Sequence, residues 1–390
     1  MPTHQEWPVK PTNPKSLIDL LSEIEDYRIG NSIRHNLKDV LLIGLLCIIC
    51  NGDTYTDMEL FGETHEATLR KFLELPHGIP SHDTFGDIFS RLNPQQVSKC
   101  FNQWTDALKD EVEQHCIAID GKTIRRSHNA EMKAKHVVTA FASDIQLVLG
   151  QLSTDEKSNE ITAIPKLLDM FCVKGNIITI DAMGTQTEIA KEIIEKGGDY
   201  VLALKENQPT LLDDIRVFME NDVLTQKKSV LKAANQYAKT CEKNHGRIET
   251  RECFLISDLS WLEGRERWAG LQGAGLIRSK REMVDGHVST CDHYVIFSCK
   301  QMTAEKLLKI KRGHWAIENQ LHWVLDVIFH EDQSRARIEN TAEILNILRK
   351  LALQLMKQET SSKASMRAKR LRCGYDFSYA LKVLRVNGFS

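Results

Sequence analysis

Between residues 116 and 204, runs of strand-forming and helix-forming residues alternate in an order that few folds accommodate. "CIAIDGKT", "HVVTAFAS" and "IQLVLGQLST" are short apolar runs rich in β-formers. "EITAIPKLLDMF" has helical spacing, and "GNIITIDAMG" is strand-like again. "TQTEIAKEIIEKGG" is an amphipathic helix closed by paired glycines, and "DYVLAL" is a further strand. The order is three strands, helix, strand, helix, strand. A tight polar link at Ser143-Asp144 makes the second and third strands a hairpin. The last two, joined through a helix, should be parallel neighbours with a right-handed crossover. The expectation is an α/β fold with a mixed five-stranded sheet flanked by helices.

Around this core the texture changes. Residues 15 to 108 are helical almost throughout, with breaks at "NGD", "LPHGIPS" and "LNPQQ". Within them "PSHDTFGDIFSRLNP" is a bounded helix, capped by Ser81 or Asp83 and stopped at Asn93-Pro94. With the turn holding Gly78 and Pro80 it has the outline of a helix-turn-helix. Charge argues against that role: residues 1 to 108 carry nine Lys+Arg against fifteen Asp+Glu, in a chain whose net charge is -2. Basic clusters come later, at "GKTIRR", "KIKRGH" and "KASMRAKRLR", the last in a C-terminal tail. Residues 221 to 300 alternate like antiparallel strands in "HGRIETRECFLI" and "VDGHVSTCDHYVIFSCK" and read as a β-rich insertion. Helices resume at 303 to 329 and 340 to 358. The expected domains are 1 to 108, 109 to 358 and 359 to 390.

The longest apolar run, "VLLIGLLCIIC", is too short to span a bilayer and too far from Met1 for a signal peptide. Ten cysteines scattered through apolar runs fit reduced thiols in the cytosol. Cys47 and Cys50 make a CxxC without a second ligand pair nearby, so they belong to the core and not to zinc.

Asp120 and Asp181 end equivalent strands, "IAID" and "ITID". Ligands of parallel α/β sheets gather at the carboxyl ends of strands, so the two acids can face one site, although an aspartate there also starts turns and caps helices. In "RGHWAIENQLHWVLDVIFHED", Ile317, Leu321, Val324, Leu325 and Ile328 make one apolar stripe. His314, Glu318, His322 and Asp326 recur every fourth residue as a polar seam beside it. Laid on the sheet, such a helix presents Glu318 to the two aspartates. Three carboxylates without a thiolate suit Mg²⁺ or Mn²⁺. Paired ions of this kind serve in-line phosphoryl displacement, the chemistry of nucleases. A zinc protease motif is excluded because the two histidines are eight residues apart. Trp315 and Trp323 are expected to pack at the edge of the core.

"AIDGKTIRRS", "IITIDAMGTQ", "YVLALKENQP", "HGRIETR" and "RGHWAIENQLHWVLDVIFHEDQSRAR", in this order, resemble the H-repeat-associated transposases, bacterial insertion-sequence proteins of the DDE superfamily. The resemblance runs from about residue 15 to 355. It implies an RNase H-like catalytic fold, with a helical N-terminal associated domain and an insertion before the last acid. It implies Asp120, Asp181 and Glu318 as the catalytic triad holding two Mg²⁺ or Mn²⁺ ions. Lys122, Arg125, Arg126, Lys205, Asn207, Arg247, His314 and Asn319 become candidates for DNA, phosphate or metal-shell contacts. Double-stranded DNA is the implied partner, with a homodimer or larger assembly in synapsis, at the nucleoid of a bacterial cytoplasm. Relatives in the wider superfamily place Tyr, Arg and Lys around the glutamate, where this chain has Lys311, His314 and Leu325, and Asp326 stands as the reserve for Glu318. A nuclease without strand transfer, or an inactive DNA-binding descendant, are the alternatives.

Overall fold

The computed structural model describes residues 16–30, 33–106, 108, 115–128, 133–154, 160–244 and 246–385; the expected domain boundary at 108/109 borders residues outside that set. Five helices come first: α1 (Leu17–Ser22), α2 (Leu37–Ile49), α3 (Tyr55–Leu69), α4 (His82–Arg91) and α5 (Pro94–Asp106). α2 is the apolar run of the sequence, and every residue of it except Lys38 is buried. Each Leu or Ile sunk in this way contributes roughly 2 kcal/mol. Ser81 caps α4 by accepting from the Thr84 N–H, as its sequence indicates. The link between α3 and α4 covers residues 70–81, far longer than the three or four residues of a helix-turn-helix turn. Cys47 is buried and Cys50 half-buried, and burial pushes both thiols up, as befits core packing.

The central strands follow as β1 (Cys116–Thr123), β2 (His136–Ala142) and β3 (Leu147–Thr154), then α6 (Glu160–Leu168), β4 (Ile177–Ile180), α7 (Thr187–Glu195) and β5 (Asp199–Leu204). β1 pairs antiparallel with β2 and parallel with β4, β4 pairs parallel with β5, and β2 with β3 form the hairpin. The five-stranded sheet is, however, half of a larger one. After α8 (Pro209–Phe218) and α9 (Lys228–Ala233), the insertion supplies β6 (Tyr237–Asn244), β7 (Arg247–Ile256), β8 (Gly273–Met283) and β9 (Val288–Phe297). β9 pairs antiparallel with β5, so one nine-stranded sheet runs β3-β2-β1-β4-β5-β9-β8-β7-β6. The insertion therefore extends the sheet edge instead of forming a separate unit.

Helices cover both faces. α6 and α7 pack on the odd side chains of β1, Ile117 and Ile119. α10 (Ala304–Ile317) and α11 (Thr341–Gln358) lie on the other face, with Leu307, Leu308 and Ile310 over Ile177, Val201 and Phe297. α11 is buried along nearly its whole length, because it sits between the sheet and the first five helices. The expected basic tail is instead folded: α12 (Met366–Tyr375) and α13 (Phe377–Leu384) return to the N-terminal helices. Lys369 and Arg370 are buried there, and the Arg370 guanidinium donates to the Ile48 carbonyl at 2.9 and 3.1 Å and lies over the Phe329 ring. Among the described residues no helix is long and apolar enough to cross a membrane.

Candidate active site

The even side chains of β1, Ala118, Asp120 and Lys122, face the helix that begins as α10. Gly313 lets that helix approach closely, since a Cβ there would stand 3.2 Å from the Cys116 sulfur, and the Gly313 carbonyl accepts from Ser143. Beyond Ile317 the helix widens into π turns over Glu318–His322 and Val324–Ile328. The Trp323 N–H donates to the Glu318 carbonyl and the Phe329 N–H to that of Val324, five residues back in each case. Regular turns of 3.6 residues would rotate every fourth side chain by about 40° per step. The wider turns cancel that drift, so Ile317, Leu321, Leu325 and Phe329 all stay within 2% of full burial. The polar seam is held in the same way against the sheet. π turns of this kind are frequent at functional sites.

At the centre, His322 Nδ1 lies 3.4 Å from Asp120 Oδ2 and 3.2 Å from Glu318 Oε2. The His322 side chain is only 4% exposed, whereas Glu318 is 68% exposed. Asp181 follows β4, whose Ile180 is in register with Ile119, so it comes alongside Asp120. Its Oδ1 accepts from the Met183 and Gly184 N–H groups at 3.1 and 3.4 Å, which makes it the cap of a short 3₁₀ turn as well. Burial holds the Asp120 carboxyl above the ordinary carboxylate range; His322 opposes this, while the charges of Asp181 and Glu318 add to it. The hydrogen bond from His322 draws Glu318 the other way, below its ordinary value.

Other expected residues divide by placement. Lys122 does not point outward: its Nζ donates to Glu331 at 2.7 Å and to Asp326, so it is committed inside the protein. Asp326 is thereby bound to Lys122 and is not the third member beside Asp120. His314 is buried against the Thr179 hydroxyl at 3.0 Å, and burial pushes its imidazole down to about 3, so it is a neutral core histidine. Asn207 donates to the Ala182 carbonyl and Gln208 to that of Thr185, so "KENQP" braces the turn behind Asp181. Arg125, Arg126, Lys205 and Asn319 are exposed, Arg125 pairing with Asp332 at 3.2 Å and Asn319 donating to the Trp315 carbonyl. Arg247 sits at the tip of the β6–β7 hairpin, on a strand separated from β5 by β9 and β8. Lys311 packs over the Trp315 ring, and burial followed by the charge of Lys205 lowers its ammonium. Trp323 is 52% exposed, contrary to the expected packing, because it lies nearly opposite the apolar stripe on the helix. His322 is the residue that pattern reading left out of the site. Its signal was the four-residue seam, which gave no way to choose between it and His314.

Residues 113–355 match the transposase DDE domain family, and residues 18–105 match the family described as DDE_Tnp_1-associated. The chain is 36% identical to the Escherichia coli "H repeat-associated putative transposase YhhI", over 96% of this chain and 99% of that protein. It is 40% identical to the E. coli "H repeat-associated putative transposase YbfD", over 61% of this chain and 92% of that one. Among solved structures, a piggyBac transposase synaptic complex with hairpin DNA gives a TM-score of 0.44 at 11% identity, over 95% of this chain and 77% of that chain. With its DDE-domain match over residues 113–355 and a 36% identical relative aligned over nearly its whole length, the chain belongs to the bacterial DDE family of insertion-sequence transposases.

Proposed function

We propose that this chain cuts and joins DNA phosphodiesters at the ends of an insertion sequence, using Asp120, Asp181 and Glu318 as its catalytic acids. One observation carries the reading: Asp120 and Glu318, far apart in the sequence, meet at a single buried histidine nitrogen beside the strand that ends in Asp181. The strand order β3-β2-β1-β4-β5 supports an RNase H-like core, with β1 and β4 carrying the first two acids.

The carboxylate oxygens and the lack of a thiolate fit hard divalent cations. Asp120, Asp181 and Glu318 would hold two Mg²⁺ or Mn²⁺ ions, which when bound sharpen the attacking oxygen and stabilise the leaving one. The residues around them do the positioning. Asn207 and Gln208 fix the turn that aims Asp181. Lys311 brings positive charge close to it, with Lys205 beside Lys311, where a backbone phosphate would otherwise be repelled by the acids. A cleft of about 410 Å³ lined by Lys239, Lys309 and Arg312 extends that basic surface along the insertion. Double-stranded DNA is the substrate, and synapsis of two ends calls for at least two copies, acting in the bacterial cytoplasm.

In a supercoiled-plasmid assay with Mg²⁺ or Mn²⁺, Asp120→Asn should lower end cleavage at least about a thousandfold while end binding persists. Cleavage that survives the substitution removes the proposal. Joined products separate a transposase from a nuclease, and binding with no metal-dependent cleavage in the unsubstituted chain marks an inactive descendant.

A further inference from the structure

We infer that His322 is itself a cation ligand, giving the Asp120–Glu318 end of the site a nitrogen donor and a preference for borderline divalent ions such as Mn²⁺ over Mg²⁺. This deepens the catalytic reading above and rests on it.

Ligand atoms of Asp120, Glu318 and His322 all lie within 4.8 Å of one another, and among the described residues they form the one such group. Ligands about 2.1 Å from one ion stand about 3 Å apart at a right angle. His322 Nδ1 is 3.2 and 3.4 Å from the two carboxylate oxygens, so two sides of the three-cornered group are already spaced for one ion, and the third is at most 4.8 Å. The ring is 96% buried by side chain, being 4% exposed, and its Nε2 has no hydrogen-bond partner. The polar contacts of the ring run through Nδ1 to the two acids. His314 provides the contrast eight residues earlier: equally sequestered, it is occupied by the Thr179 hydroxyl and faces no acid pair. The wide turn from Glu318 to His322 sets both side chains on the sheet side of the same helix, opposite Asp120. An imidazole in place of a water or carboxylate oxygen disfavours Mg²⁺, which takes oxygen ligands, and favours transition ions.

The test is pulsed EPR of the full chain with Mn²⁺. Directly bonded imidazole should give ¹⁴N modulation, which changes when the protein is made with ¹⁵N-histidine and disappears in His322→Ala. Mn²⁺ affinity should fall at least about tenfold in that variant, with Mg²⁺ affinity changed less than about threefold. Circular dichroism checks the fold, and His322→Gln provides a variant of similar size; the isotope comparison in the unsubstituted chain is decisive without either. Mn²⁺ held in an Asp120-dependent way without ¹⁴N coupling, or with coupling that persists in His322→Ala, overturns the inference and leaves the catalytic reading standing. Binding that is absent, or indifferent to Asp120→Asn, overturns both.

Discussion

Lys122 sits two positions after Asp120 and points to the same face, yet its surroundings give it a different task. Its ammonium is clamped by Glu331, which is fully buried, and by Asp326, and the Asn346 amide holds the other Glu331 oxygen at 2.8 Å. A cation that looked available for phosphate is thus the counter-charge that lets a carboxylate lie in the core. Lys350, in α11, is a second buried cation, donating to Thr139 at 2.9 Å and Gln151 at 2.6 Å. Burial pushes its ammonium down to about 7, with Glu331 opposing. Between about pH 7 and the ordinary lysine range the unfolded chain therefore holds a proton that the folded chain has released. Stability rises with pH across that window, at up to about 1.4 kcal/mol per pH unit. Lys357, pushed down to about 8 by burial, adds to the same slope. In urea unfolding between pH 7 and 10, Lys350→Met should flatten this rise by roughly half; an unchanged slope would show that Lys350 keeps its proton.

The widened turns from Glu318 to Ile328 decide whether the polar seam reaches the sheet. Inserting an alanine after Asn319, an exposed residue inside the first of them, adds one more residue to the helix and should rotate His322 and Asp326 by about 100°. The expected result is near-normal helical circular dichroism with cation binding reduced at least about tenfold; unchanged binding would show that the π turns are incidental. Such turns explain where pattern reading stopped. Strand order through β5, the parallel pairing of β1 with β4, and the meeting of Asp120 with Glu318 were legible, because apolar periodicity and strand-end acids leave marks in a sequence. β6 and β8 were not picked out: "YAKTCEKN" and "RSKREM" are charged on both faces as hairpin arms, and neither alternates cleanly. Nor did a 3.6-residue wheel foresee that every fourth residue would stay in line. The commitment of Lys122 to Glu331 depended on a contact between distant segments that local spacing does not encode.

Across the whole molecule, the first five and the last two described helices meet in one layer, with α11 pressed between that layer and the sheet. Arg370 fastens it, reaching the carbonyls of Ile48 and Ile328 and pairing with Asp53 at 3.5 Å. Arg370→Ala strands those acceptors and should cost about 3 kcal/mol, lowering Tm by roughly 4 °C in a thermal melt. A Tm within a degree of the unsubstituted chain would show that α12 and α13 are held without it. The sheet has its own uneven joinery. β7 and β8 share ten residue pairs, as do β8 and β9, but β5 and β9 share only four, from Val201–Phe297 to Leu204–Tyr294. Load placed on the outer hairpins reaches the strands bearing the aspartates by two routes, through those four pairs and through α10, whose Leu307, Leu308 and Ile310 pack over Ile177, Val201 and Phe297. The outer four strands are thereby tied to the helix that runs on into Glu318, so a push on the insertion is carried to the acid that closes the site.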